Sequence, residues 1–139
     1  MVILAVDYGK VRTGLAVSDK DEKLASPVGV VSDSNDGTLA RKIAEEAKKR
    51  GAEHIVVGLP RNMDGTEGES ARNIRKFADI LHSVSGLEIV LRDERCTTIT
   101  AAGYLNETNT RGKKRKAVID SVAAVIILED YLSYRRNMT

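Results

Sequence analysis

A chain of 139 residues fits one folding unit, and 42% hydrophobic with 30% charged residues is the make-up of an ordinary globular protein. Disordered, collagen-like and cystine-scaffold classes are excluded, the last because Cys96 is the single cysteine. The formal charge of +2 is small, but Arg111, Lys113, Lys114, Arg115 and Lys116 crowd five cations into six residues and leave −3 for the rest, the pattern of a local polyanion contact.

Val2–Asp7 opens with a β-branched apolar run, the signature of a strand buried on both faces. Tyr8–Arg12 reads as a turn around Gly9. Thr13–Ser18 is a second strand and Leu24–Val31 a third, placed at an edge by Pro27. A helix over Thr38–Arg50 repeats Leu39, Ile43 and Ala47 and stops at Gly51. His54–Gly58 is a fourth strand, and Gly58–Gly68 a glycine-rich loop. A helix over Ser70–Val84 carries Ala71, Ile74, Phe77, Ala78 and Leu81 at spacings of three and four, and Gly86 closes it. Leu87–Leu91 is a fifth strand, Thr97–Glu107 a helix, Arg111–Lys116 a basic loop, and Ala117–Arg135 a final helix apolar over most of its circumference. Short-linked strands form an antiparallel meander and helix-linked ones pair in parallel. The expected fold is α/β: one domain over residues 1–139, a mixed five-stranded sheet flanked by helices. No apolar run approaches the ~20 residues that span a bilayer. Met1–Val6 lacks a basic lead and a cleavage site, so a cytoplasmic chain without membrane contact is expected.

Three carboxylates stand where a core should be. Asp7 ends a strand whose five preceding residues are apolar, and ligands of open α/β sheets gather at such strand ends. A turn-forming Asp beside Gly9 is the plainer alternative. Glu94 follows the fifth strand within Asp93-Glu94-Arg95, where adjacent acids point to different sides. Local surface pairing is its alternative reading. Asp120 shares a helical face with Ala124, Ile127 and Tyr131, although favourable contact with the helix N-terminus would also suit it. Parallel pairing of strands one, four and five brings Asp7 and Glu94 to one sheet edge, over which the last helix packs Asp120. Three close anions repel, and a divalent cation relieves that penalty. Oxygen-only ligands favour Mg²⁺ or Mn²⁺ over Zn²⁺. His54 and His82 fall apart from the three acids, and no base accompanies Cys96 to make it a nucleophile. Such a site supports metal-assisted phosphodiester hydrolysis, with the basic run holding neighbouring phosphates.

The stretch from Asp7 to Asp19, DYGKVRTGLAVSD, resembles the opening signature of the YqgF family. Val57–Pro60 with Asn62–Gly68, Asp93–Arg95 with Thr97 and Thr98, and Ile119–Ser121 leading into Ala123–Glu129 are similar to its later blocks, in order along nearly the whole chain. The resemblance implies an RNase H-like fold and a nuclease. Family members are described as maturing the 5′ end of precursor 16S rRNA and, alternatively, as resolving Holliday junctions in branched DNA. It gives Asp7, Glu94 and Asp120 the acidic metal positions, and Arg12 and Arg95 basic positions near them. Cys96 and Arg61 depart from the family pattern. The expectation is therefore a Mg²⁺-dependent endonuclease, monomer or homodimer, acting on precursor rRNA, with a junction resolvase and a catalytically silent nucleic-acid-binding module as the alternatives. The Asp7-x-Gly9 opening also resembles the phosphate-binding turn of actin-like and sugar-kinase ATPases, which need two such lobes.

Overall fold

The computed structural model describes residues 1–9, 11–60, 68–94 and 112–137, with backbone alone for Glu94 and residues 112–120. The helix expected over Thr97–Glu107, most of the glycine-rich loop, Arg61, Arg95, Cys96 and Arg111 lie outside the described residues.

Five strands form one mixed sheet. β1 (Val2–Asp7), β2 (Thr13–Ser18) and β3 (Ala25–Val31) make an antiparallel meander, and β4 (Ala52–Pro60) and β5 (Glu88–Glu94) add in parallel on the other side of β1. The order is β3-β2-β1-β4-β5, as the apolar runs and their connections imply. β1 is central and buried at Ile3, Leu4, Ala5 and Val6. β3 is an edge, as Pro27 requires, and its ladder is broken where Gly29 adopts a φ of 136°.

Side chains alternate across the sheet, and this divides the core in two. Leu4, Val6, Leu15, Ile55, Val57 and Leu59 meet α1 (Asp36–Arg50) and α2 (Glu69–Ser85). Ile3, Ala5, Ala16 and Val56 meet α3 (Gly112–Asn137) through Ala124, Ile127, Leu128, Tyr131 and Leu132. Burying each large side chain contributes about 1.5–3 kcal/mol relative to leaving it in water.

Element ends differ from expectation for identifiable reasons. α1 begins at Asp36, because the Asn35 carboxamide oxygen accepts from Thr38 N–H at 3.0 Å and caps the helix early. Gly51 and Gly86 close α1 and α2 in the left-handed region, at φ 70° and 72°. β4 runs beyond His54–Gly58 at both ends, and β5 runs on to Glu94, because the β4–β5 ladder continues to Pro60 and Glu94 past the apolar runs.

The largest correction concerns the basic run. Lys113, Lys114, Arg115 and Lys116 were expected in a loop, but their backbone is helical, and α3 starts at Gly112. Lys and Arg are good helix formers, and no breaker separates Gly112 from Ala117. The final helix, expected in the interior from its apolar circumference, instead covers one face of the sheet: Glu129 and Asp130 are exposed, and Val122, Val125 and Ile126 are half-buried. Among the described residues no helix is long and apolar enough to cross a membrane.

Candidate functional site

Asp7 is the last residue of β1, level with Gly14 of β2, and half-buried. It has the parity of Ile3 and Ala5, which places it on the α3 face. Tyr8, one residue on, packs on the opposite side, with its ring centroid 4.6 Å from that of Phe77. The Tyr8 hydroxyl donates to Asp36 Oδ1 at 2.8 Å, which ties the end of β1 to the start of α1. Burial, followed by the hydrogen bond and charge of Asp36, pushes the Tyr8 phenol up to about 12.

The turn that follows is tight. Gly9 N–H donates to the buried Thr13 hydroxyl at 3.4 Å, and a Cβ on Gly9 would stand 2.2 Å from the Arg12 carbonyl oxygen. Arg12 leaves this turn just ahead of β2 and is half-buried. Its Nη1 is buried and has no hydrogen-bond partner among the described residues.

Glu94 is the last residue of β5, paired with Pro60. Val90 packs on the α3 side, and Arg92 donates to Asp130 of α3 at 2.7 Å while its guanidinium lies 4.5 Å from the centre of the Tyr134 ring. Position 94 has the same parity. Asp93 has the other and is exposed. The registers put Val6 level with Val57 and Gly58 level with Arg92, so position 94 lies two strands across and two residues beyond position 7. Their α-carbons are therefore about 12 Å apart, from strand spacings of about 4.8 Å and rises of about 3.3 Å.

Asp120 belongs to α3, one residue before Ser121, and the neighbours expected on its face are buried: Ala124, Ile127 at 3% exposure and Tyr131 at 5%. Positions 7, 94 and 120 thus come from the end of β1, the end of β5 and the N-terminal half of α3. Among the described side chains no three of His, Cys, Asp and Glu are grouped to hold a metal ion; those of Glu94 and Asp120 fall outside that set. The histidines stand at the other end of the strands, where β4 and β5 begin. His54 Nε2 lies 3.0 Å from Glu88, and His82 Nδ1 lies 2.8 Å from the Leu87 carbonyl oxygen. A hollow of about 730 Å³ lined by Arg41, Lys48 and Leu87 contains none of the candidate residues.

The sequence reading missed Ser121. It is 7% exposed, and its hydroxyl has no hydrogen-bond partner among the described residues. The signal was available: Ser121 falls on the helical stripe of Ala124, Leu128 and Leu132, where a polar residue is out of place.

Comparison with known proteins extends this picture. The model of a family described as "RuvX: Holliday junction resolvase" matches residues 1–134. A Chloroflexus aurantiacus protein named "Putative pre-16S rRNA nuclease" is 38% identical over 136 residues, covering 98% of this chain and 89% of its own. A Mycobacteroides abscessus protein of the same name is 42% identical over 136 residues, covering 96% of this chain and 82% of its own. Among solved structures, T. thermophilus RuvC in complex with a Holliday junction substrate superposes with a TM-score of 0.58 at 16% identity, covering 98% and 96% of the two chains. The fowlpox virus Holliday junction resolvase gives 0.56 at 14% identity, covering 96% and 99%. At those identities the structural matches establish the fold, a RuvC-like RNase H fold.

Proposed function

This chain belongs to the RuvX/YqgF family, and on that premise we propose that it is a metal-dependent endonuclease that hydrolyses a phosphodiester bond at the maturing 5′ end of precursor 16S rRNA. The observation that carries the reading is Asp7: a half-buried carboxylate at the end of the central strand, on the face that α3 covers. Near-full-length relatives at about 40% identity carry the nuclease name, and this supports rRNA over other substrates.

Asp7, Glu94 and Asp120 would hold Mg²⁺, with Mn²⁺ as a substitute. An all-oxygen donor set fits a hard divalent cation, and both histidines are remote from it. A bound cation of this kind activates a water and neutralises charge that develops on the scissile phosphate. The chain's own contribution is rigidity and orientation. β1 is pinned on both sides by β2 and β4, so Asp7 is held without rearrangement. Arg12, in its tight turn beside Asp7, offers a guanidinium to a phosphate oxygen. Arg95, Arg111, Lys113, Lys114, Arg115 and Lys116 would neutralise flanking phosphates, which predicts binding that weakens steeply with salt.

The deciding experiment incubates the protein with precursor 16S rRNA and, separately, with a four-way DNA junction, in Mg²⁺, Mn²⁺ or chelator. Cleavage of the RNA that needs the metal supports the proposal. Cutting of the junction alone would favour resolution of branched DNA, the activity in the family's description, and would call for a two-fold dimer that sets two sites on two strands. Binding without cleavage of either substrate would leave a silent nucleic-acid-binding module.

A further inference from the structure

We propose that Ser121 is a positioning residue for Arg12: its hydroxyl oxygen accepts from the buried guanidinium nitrogen and so aims the remaining nitrogens at a phosphate of the bound nucleic acid. The proposal deepens the nuclease reading above and rests on it for the identity of the ligand.

Among the described residues, two buried polar atoms at this end of the sheet lack partners, Arg12 Nη1 and Ser121 Oγ. An unsatisfied buried polar group is costly, and native proteins rarely keep one without a use. Their capacities are complementary. A guanidinium only donates, whereas a hydroxyl oxygen accepts and still has its own proton to give.

The fold brings the two to one place. In β2, Ala16 faces α3, so extending the alternation through Gly14 puts position 12 on the same face. Asp7 is level with Gly14, and Arg12 stands two residues, about 7 Å, past that level. The C-terminal end of α3 lies at the Met1 end of β1, where Glu22 also bonds the N-terminal amine. Near its C-terminus Arg135 bonds Glu22, in the β2–β3 turn at the far edge of the sheet. Fourteen helical residues separate Arg135 from Ser121, about 21 Å of rise. β1 climbs about 17 Å from Val2 to Asp7. Ser121 therefore lies toward the Asp7 and Arg12 end of the sheet, on the stripe that faces it.

A double-mutant cycle tests this, read as the affinity for a 5′ fragment of precursor 16S rRNA in chelator, with urea unfolding of every variant alongside. Arg12→Gln and Ser121→Ala should each weaken binding about tenfold, the worth of one hydrogen bond to a charged group. The double variant should bind no worse than Arg12→Gln alone. Ser121→Cys nearly conserves volume but accepts poorly, and should lose affinity as Ser121→Ala does. The pair closes only when nucleic acid is bound, so in the free protein the hydroxyl is unpaired and the urea midpoint of Ser121→Ala should hold or rise. Unaltered affinity in Ser121→Ala, losses that multiply in the double variant, or a lowered midpoint with intact binding would each overturn the proposal. Coupled binding in a protein that cuts no RNA would sink the nuclease reading alone. Cleavage with independent losses would sink this one alone.

Discussion

Tyr8 and Asp7 are neighbours in sequence on opposite faces of the sheet, and Tyr8→Phe separates what each contributes. The substitution keeps the ring against Phe77 and deletes the hydrogen bond from the phenol to Asp36. A hydrogen bond to a charged acceptor contributes about 1.5–3 kcal/mol. The phenol gives a second measure, since burial and then Asp36 push it from 10.0 up to about 12. That displacement corresponds to about 2.7 kcal/mol at most. Both residues are only half-buried, so solvent screening brings the expected loss near neutral pH down to about 1–1.5 kcal/mol. The sign with pH follows from the direction. The folded chain holds the phenolic proton more tightly than the unfolded chain does, so the contribution is complete below pH 10 and is lost as pH rises through about 12. Urea unfolding of both proteins from neutral pH upward should show a stability gap that is widest at neutrality and closes across that window. Parallel curves, or a gap that widens with pH, would refute the Tyr8–Asp36 coupling. RNA cleavage at neutral pH should be unaffected, because the phenol lies on the side of the sheet away from Asp7.

Asp7→Asn, Glu94→Gln and Asp120→Asn should each abolish cleavage while the urea midpoint stays close to that of the unaltered protein; full activity in any one removes that residue from the proposed site. Gly9→Ala drives a methyl into the Arg12 carbonyl and should cost about 1–3 kcal/mol in thermal or urea unfolding, together with weaker RNA binding. An unchanged midpoint would mean that the turn has slack. Neutralising Lys113, Lys114, Arg115 and Lys116 should flatten the slope of log affinity against log salt by up to about 0.7 for each charge that reaches a single-stranded phosphate. An unaltered slope would move the polyanion surface to other cations.

The strands were legible because the core demands it: a centre strand buried on both faces must be apolar throughout, and Val2–Val6 has no other use. Helices α1 and α2 were equally plain from the spacing of Leu39, Ile43 and Ala47 and of Ile74, Phe77 and Leu81, with Gly51 and Gly86 closing them. The ends were less so. Pairing from neighbouring strands extends β4 and β5 through residues that hydropathy would leave out, Arg92 to Glu94 among them. The start of α3 was hidden by charge, since five cations suggest a solvated loop although Lys and Arg favour a helix. At the candidate site, Asp7 was readable as a carboxylate at a strand end. Arg12 came only from family resemblance, because nothing in its spacing signals a half-buried guanidinium. The contact between Tyr8 and Asp36 joins residues 28 apart and depends on how the helix docks, which no local pattern encodes.

The two borders of the sheet also differ in what they permit. Along β3, Pro27 offers no amide proton and the kink at Gly29 spoils the spacing, so a foreign strand finds no continuous ladder there. β5, at the far border, is seven residues of unkinked backbone. Fibrous growth by strand addition requires a receptive border on each side of every subunit, and here one side is refused. Self-association through sheet borders, if it begins, therefore halts at a pair of chains and cannot propagate into a filament.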